Sequence, residues 1–364
     1  MKGSGHNQRP LLLPLSFLFR IVVMFRNLFF DLNILRSTGF RMPIISVGNI
    51  TVGGTGKTPH VEMLIRFFKD EYRLAVLSRG YKRKSTGFVM ASRKSFVSEI
   101  GDEPMQIKTK FPEIMVAVDN HRVHGVKKLL MLKHRPDLII LDDAFQHRSI
   151  KPGLSLVLVD YNRPVFHDHL LPAGNLREPW KNSKRADMVV VTKCPDSLSP
   201  VERARFSEKL RLRPNQDLYY TAYSYGSPLA VFPHRKKKDN GQTFKQIRKS
   251  HAGILFVTGI SDPRPVQRFL ENTVHGFDSL LFPDHHSYDG NDLQLIASRF
   301  QSLPEIEKYI LVTEKDAVKL REMVMEDYLK RALLFVPVEV KFLAKGEKPF
   351  FKRLEKYIRK ALRG

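Results

Sequence analysis

Cysteine is all but missing from this chain: Cys194 stands alone among 364 residues. One thiol excludes an internal disulfide framework and a cysteine-rich zinc site, and it fits a reducing compartment. Its expected place is that of a small buried side chain. Acidic residues are also short, at 37 against 61 Lys and Arg, which leaves a net charge of +24. Such an excess implies an anionic partner: a nucleic acid, a phosphorylated ligand or an acidic lipid. Internal repeats and low-complexity tracts are absent. A long uncharged apolar run is missing too. Between Leu11 and Phe30 almost every residue is apolar, but Arg20 and Arg26 interrupt the run. No uncharged stretch therefore approaches the roughly eighteen residues that span a bilayer. No small-residue cleavage site follows, which argues against a secretory signal. What is present suits a globular fold: 42% of the residues are apolar, and the length fits two ordinary domains or one large domain with additions.

The basic charge gathers around apolar segments. Residues 1–41 carry Lys2, Arg9, Arg20, Arg26, Arg36 and Arg41 against Asp31 alone. Residues 11–30 are expected to form an interfacial helix, with Leu, Phe, Ile and Val in the headgroup–acyl boundary and Arg20 and Arg26 reaching anionic phosphates. Pro14 is expected in its first turn or at a kink. Basic residues also crowd residues 340–364, where Phe351, Leu354, Ile358, Ala361 and Leu362 share one helical face that is expected to pack on the protein. A third cluster, Arg235 through Lys238, reads as a solvated loop.

Residues 43–58 carry the strongest signal. An apolar run, read as a buried strand, feeds a glycine-rich turn that ends in Gly56-Lys57-Thr58, and an apolar helical pattern follows. Strand, glycine loop, lysine, hydroxyl and helix together form a nucleotide phosphate cradle. The loop's backbone N–H groups meet phosphate oxygens, the lysine reaches the β and γ phosphates, and the hydroxyl meets Mg²⁺. The cradle residues are Thr51, Gly53, Gly54, Thr55, Gly56, Lys57 and Thr58. Thr51 stands where the usual pattern begins with glycine.

Further apolar runs at 73–78, 114–118, 138–141, 154–159 and 188–191 alternate with helical stretches. That alternation predicts an α/β fold: a P-loop NTPase-like, mostly parallel sheet with helices on both faces. Ligands then collect at the carboxyl ends of the strands. The composition changes near 215–250, and strand-like runs resume at 254–259 and 309–313. The expected division is an N-terminal membrane-associating helix in 1–40, a P-loop domain in 41–220, a linker in 221–250 and a smaller α/β domain in 251–364.

The run 138–141 ends in Asp142-Asp143, followed by Ala144-Phe145-Gln146-His147-Arg148. In a P-loop protein an aspartate at such a strand end holds Mg²⁺ directly or through water. Gly101-Asp102-Glu103-Pro104 offers a carboxylate that could serve as general base for a hydroxyl nucleophile. The mixed-charge loop 171–179 and Asp284-His285-His286 complete the set. No cysteine or histidine spacing in it supports zinc.

In this order the motifs resemble the lipid A 4′-kinase (tetraacyldisaccharide 4′-kinase) family. The resemblance rests on residues 46–58, Ser78-Arg79-Gly80-Tyr81, Gly101-Asp102-Glu103-Pro104, Asp142-Asp143-Ala144-Phe145-Gln146-His147, Leu171-Pro172-Ala173-Gly174, Leu176-Arg177-Glu178-Pro179 and Asp284-His285-His286. It covers roughly residues 40–320, and one departure is Ala144, where glycine is expected. It implies transfer of the ATP γ-phosphate to the 4′-hydroxyl of an acylated glucosamine disaccharide 1-phosphate, with Mg²⁺, by a peripheral protein on the cytoplasmic face of the inner membrane. Carried over by motif, Lys57 and Thr58 bind phosphate and Mg²⁺, and Asp142, Asp143 and Glu178 surround the metal. Asp102 is the implied base and His285 its partner. Arg79, Tyr81, Arg122 and Asn175 are implied contacts with substrate or nucleotide.

Two other classes compete with this reading. A GTP-dependent switch or metallochaperone would select guanine through an Asn/Thr-Lys-x-Asp tetrad, but in Thr192-Lys193-Cys194-Pro195-Asp196 the aspartate falls one place late. A nucleic-acid-binding ATPase has only the pI of about 10.0 in its favour and no recognised module. Neither a nucleic acid nor an obligate protein partner is expected.

Overall fold

The structure is a computed structural model that describes residues 9–233 and 242–363; Lys2 and the basic cluster 235–238 lie outside them. Its larger sheet has nine strands, in the spatial order Val338–Phe342, Asp217–Tyr225, Met188–Thr192, Leu154–Asp160, Ile44–Asn49, Leu138–Asp142, Leu74–Ser78, Met115–Val118 and Val89–Met90. The seven inner strands pair in parallel, and only the two outermost run antiparallel to their neighbours. Every residue of the strands at 44–49, 138–142, 154–160 and 188–192 is buried. That is the pattern of a parallel sheet covered on both faces. Alternate residues divide between the faces: Ile45, Val47, Leu156 and Leu158 join one core, while Ile44, Ile139, Leu141, Val157 and Val159 face the other side.

The smaller sheet runs Asp278–Leu281, Gly253–Thr258, Lys308–Thr313, Leu333–Val336 and Leu229–Ala230, parallel except at the last strand. Its boundaries differ from the expected division. The stretch expected as a linker contains the end of the long strand Asp217–Tyr225, the edge strand Leu229–Ala230 and the helix Phe244–Lys249. The chain also leaves the smaller lobe before its end. Val338–Phe342 returns to pair with Asp217–Tyr225, and the helix Glu347–Arg363 packs on the larger core.

That last helix buries Phe350, Phe351, Leu354 and Ile358. Leu362, expected on the same face, is half exposed because the helix runs past the edge of the core. Tyr357 fastens it: the hydroxyl accepts from the Ile44 amide (2.9 Å) and donates to the Ile44 carbonyl (3.2 Å). A Cβ at Gly153 would overlap that ring and hydroxyl, so a larger residue there would push Tyr357 out of place.

The N-terminal helix Leu13–Asp31 is inverted relative to an ordinary surface helix. Its buried positions are Ser16, Val23 and Asn27, while Phe17, Leu18, Val22, Met24 and Phe25 are exposed. Ser16 Oγ donates to the Leu170 carbonyl (2.9 Å) and accepts from the Ala173 amide (2.9 Å). Arg148 donates to the Asn27 carbonyl (2.8 Å) and pairs with Asp31 (2.6 Å). Arg20 is exposed as expected, but Arg26 is half-buried and turned to Asn27. A polar stripe therefore docks the helix, and its apolar surface is left outward. By length and composition, residues 10–31 could cross a membrane.

The return segment yields a stability prediction. Phe350 is fully buried, so Phe350→Ala should cost about 3–5 kcal/mol. A denaturant melt followed by fluorescence checks this, and an unchanged midpoint would show that the terminal helix is not part of the larger core.

Candidate active site

The strand Ile44–Asn49 delivers the glycine loop to the helix Lys57–Phe68. Gly53 and Gly56 sit at φ +86° and +92°, a left-handed region that penalises side chains. Thr51 needs no such freedom. Its backbone bridges to Leu176, flanked by hydrogen bonds from the Val52 amide to the Asn175 carbonyl (2.8 Å) and from the Arg177 amide to the Ile50 carbonyl (2.7 Å). The first loop position is thus extended, which explains why threonine replaces the usual glycine. Thr55 turns inward, where its hydroxyl accepts from Asn49 (2.7 Å). Its carbonyl accepts from the Thr192 hydroxyl (2.8 Å). The loop lines a cavity of about 780 Å³ between the lobes.

Next to it, the strand Leu138–Asp142 ends at two carboxylates with opposite surroundings. Asp142 is buried and accepts from Ser78 Oγ (3.1 Å), while its Oδ1 has no hydrogen-bond partner. Burial, then the charges of Glu103 and Asp143, push Asp142 up to about 7 against the pull of Lys57 and Arg122. Burial also opposes ionisation of Asp143, but Lys57 (3.6 Å) and Arg177 (3.0 Å) outweigh it and hold this carboxyl near 2. Asp143 itself has φ +47°.

From the other side, the helix Asp102–Lys110 and the smaller lobe meet. His285 Nδ1 lies 2.9 Å from Asp102 Oδ2, and Lys315 Nζ lies 3.2 Å from His285 Nε2. An ammonium can only donate, so Nε2 accepts and Nδ1 carries the proton given to Asp102. Lys315 also approaches Glu103 (3.3 Å) and Asp102 (3.7 Å). Burial works against the Asp102 charge, yet the His285 hydrogen bond and Lys315 hold it near 2. The same carboxylates raise Lys315 above its ordinary value despite burial. Glu103, Asp284, His285 and Lys315 line the cavity, and Asp102 is buried directly behind them.

Other expected residues divide. Arg79 and Tyr81 line the cavity, the Tyr81 ring 4.8 Å from that of His285. Arg122 does not. It is buried beneath the strand ends and donates to the carbonyls of Asp119 (2.6 Å) and Asp142 (2.9 Å), and burial draws it down to about 10. Asn175 likewise braces the loop: its side chain donates to Asp168 (3.2 Å) while its carbonyl holds Val52. Glu178 is fully buried away from the cavity lining. Its oxygens are taken by Arg185 (2.9 Å), Asn182 (3.0 Å), Gln146 (3.2 Å) and Asn27 (3.4 Å). With those donors in place it anchors the N-terminal helix and does not face the metal position.

Several lining residues escaped the sequence. Ser261 accepts from the Gly54 amide (2.8 Å), so the smaller lobe touches the glycine loop itself. Lys193 reaches Asp160 (2.8 Å), and Arg177, Tyr223 and Glu314 complete the walls. The signal for Glu314-Lys315-Asp316 was the same as for Asp142-Asp143, a charged run ending an apolar strand. Asp196, the misplaced aspartate of the guanine tetrad, is on the surface and paired with Lys341 (3.3 Å). Among the described residues no three His, Cys, Asp or Glu converge as a metal cluster. Thr58, the orphaned Asp142 Oδ1 and Asp143 instead suit Mg²⁺, which takes one or two carboxylates and completes its shell with phosphates and water.

The family model for tetraacyldisaccharide-1-P 4′-kinase matches residues 8–359. The tetraacyldisaccharide 4′-kinase of Phocaeicola vulgatus is 45% identical, over 99% of this chain and 98% of that protein. The enzyme of the same name from Parabacteroides distasonis is also 45% identical, over 96% and 94% respectively. The crystal structure of LpxK from Aquifex aeolicus in complex with ATP superposes with a TM-score of 0.71 at 30% identity, covering 96% of this chain and 98% of that one. A phosphate loop, a carboxylate pair and a histidine–aspartate contact facing one cavity agree with these matches along the chain, which belongs to the tetraacyldisaccharide-1-P 4′-kinase family.

Proposed function

We propose that this protein transfers the γ-phosphate of ATP to the 4′-hydroxyl of a tetraacylated glucosamine disaccharide 1-phosphate, a step of lipid A biosynthesis. The observation that carries the reading is the contact between Asp102 and His285 across the two lobes, on the same cavity as the glycine loop. The amides of residues 53–58 and Lys57 hold the phosphates. Arg79 and Tyr81 are placed to meet substrate. The attacking 4′-oxygen forms its bond to the γ-phosphorus as the bond to the β–γ bridging oxygen breaks, and ADP leaves with that electron pair. The hydroxyl proton passes to the Asp102–His285 pair. An ionised Asp102 orients the imidazole, and Lys315 balances the charge. Phosphoryl transfer needs positioning and charge neutralisation more than a strong base, which suits a carboxylate held near 2. Mg²⁺ held by Thr58 and Asp142, with Asp143 beside it, would neutralise charge on the β and γ phosphates. A pair divided between lobes forms only when they close, and closure excludes water.

The acceptor is an anionic lipid, and the outward apolar face of the helix Leu13–Asp31 with exposed Arg20 suits an anionic membrane surface. This reading places the protein peripherally at the cytoplasmic face of the inner membrane.

The direct test supplies labelled ATP and the acylated disaccharide 1-phosphate to the purified protein and looks for a bisphosphorylated lipid. Asp102→Ala and His285→Ala should each lower kcat by about two orders of magnitude or more while ATP affinity stays, and the double variant should lose little further because the pair acts as a unit. A fully active Asp102→Ala enzyme would sink the assignment. Removing residues 11–30 should shift the protein from vesicles containing anionic lipid into the supernatant, and unchanged co-sedimentation would refute membrane docking. Asp142 binds its proton more tightly folded (about 7) than unfolded (3.8). Its share of stability is therefore complete below the unfolded value and is lost as pH rises through about 7. Without nucleotide and Mg²⁺, Asp142→Asn should melt at a relatively higher temperature than the parent at pH 8, with the advantage fading toward pH 5. A pH-independent difference would exclude this titration.

A further inference from the structure

Away from the reacting groups, one lysine joins three elements. Lys110, the last residue of the helix Asp102–Lys110, places Nζ 2.5 Å from Glu62 Oε2 on the glycine-loop helix and 2.5 Å from Glu314 Oε1 in the smaller lobe. Both carboxylates are buried, and Lys110 is largely so. Gln106 donates to the other Glu62 oxygen (2.7 Å). The second Glu314 oxygen accepts from the Val338 amide (3.2 Å), at the point where the chain re-enters the larger sheet. Lys110 thus sits at the pivot between the lobes.

We propose that Lys110 is a positioning residue for phosphoryl transfer: by holding Glu314 against Glu62 it sets the disposition of the lobes at which His285 meets Asp102. The inference rests on the reading of Asp102 and His285 as the proton-accepting pair. Adjacent residues of the smaller lobe grip both ends of one helix, with Lys315 on Asp102 and Glu103 at its start and Glu314 on Lys110 at its end. Eight residues of helix separate these grips by about 12 Å. One ion pair fixes a distance, whereas two so far apart also fix an angle, and the Asp102–His285 contact depends on both.

The charge balance makes Lys110 the critical member. Two carboxylates share one ammonium, so a single cation must serve both. Burial and the Glu314 charge push Glu62 up to about 7 even with Lys110 in place. Without the ammonium, Glu62 keeps its proton and Glu314 loses its partner in this triad, so the charge contact that ties the smaller lobe to the larger one is gone. Lys110 neither lines the cavity nor touches the glycine loop, so the loop amides and Lys57 keep their hold on the phosphates.

The test is a kinetic cycle of Lys110→Met, Asp102→Ala and the double variant, with ATP and the lipid acceptor in mixed micelles. ATP affinity is measured separately by calorimetry. Lys110→Met should lower kcat about tenfold or more with the ATP Kd within about twofold, and it should cost less than about twofold when added to Asp102→Ala. Lys110→Arg, which keeps the charge, should recover most of kcat. Lys110→Gln, which keeps a polar side chain but removes the charge between lobes, should repeat the loss in kcat alone should Lys110→Met not fold. Unchanged kcat, a parallel loss of ATP affinity, or losses that multiply with Asp102→Ala would each overturn the role of Lys110. Full activity of Asp102→Ala overturns the underlying reading of the base, and the inference falls with it.

Discussion

Five backbone pairs, from Val338 opposite Tyr225 to Phe342 opposite Thr221, carry the connection between the lobes. The chain leaves the larger sheet after Tyr225 and returns at Val338, and at the crossing the Gly226 amide donates to the Pro337 carbonyl (3.0 Å). Both passages lie on one antiparallel ladder, so the smaller lobe hangs from a single edge of the sheet. The cavity lies between that lobe and the strand ends. Backbone hydrogen bonds set the pivot, and side-chain charges set the angle about it.

The electrostatics of the cavity follow from burial. Burial alone raises every carboxyl, but Asp102 and Asp143 have cations within hydrogen-bond or ion-pair distance and stay ionised, whereas Asp142 does not and rises to about 7. The three side chains are chemically identical and are separated by their neighbours. The general excess of positive charge does not decide this. The cations that matter are Lys57 and Arg177 of the larger lobe and Lys315 with the donor His285 of the smaller one, all brought to one cavity. The carboxylate left without a close cation is also the one with an orphaned oxygen, which suits a divalent ion.

The N-terminal helix shows how far composition alone can be read. Its apolar content was visible, and with it the expectation of a role at a lipid surface. Which side faces the protein was not, since Ser16 and Asn27 look like minor interruptions in an apolar run. They dock because Leu170, Ala173 and Glu178 present polar partners that an apolar side chain could not satisfy. Glu178 came to the metal set only through the motif it shares with the family. In the folded chain four donors surround it, from Arg185, Asn182, Gln146 and Asn27.

The glycine loop, the strand-end aspartates and the α/β alternation were legible because each depends on neighbours within a few residues. Successive loop amides, continuous apolar runs and helix starts are local matters, so the sequence by itself determined the phosphate-loop motif and the class of fold. It also ordered the motifs in a way that points to a lipid acceptor. Only the tertiary structure decided the return of Val338–Phe342 to the first sheet, the placement of Arg122 and Asn175 as braces, and the bridging of Glu62 and Glu314 by Lys110. Each of these pairs residues far apart in the chain through contacts whose partners are set by packing. A charge carries no mark in the sequence of the charge it will meet, so the meeting of Asp102 and His285 came from the motifs as an expectation and from the folded chain as a distance.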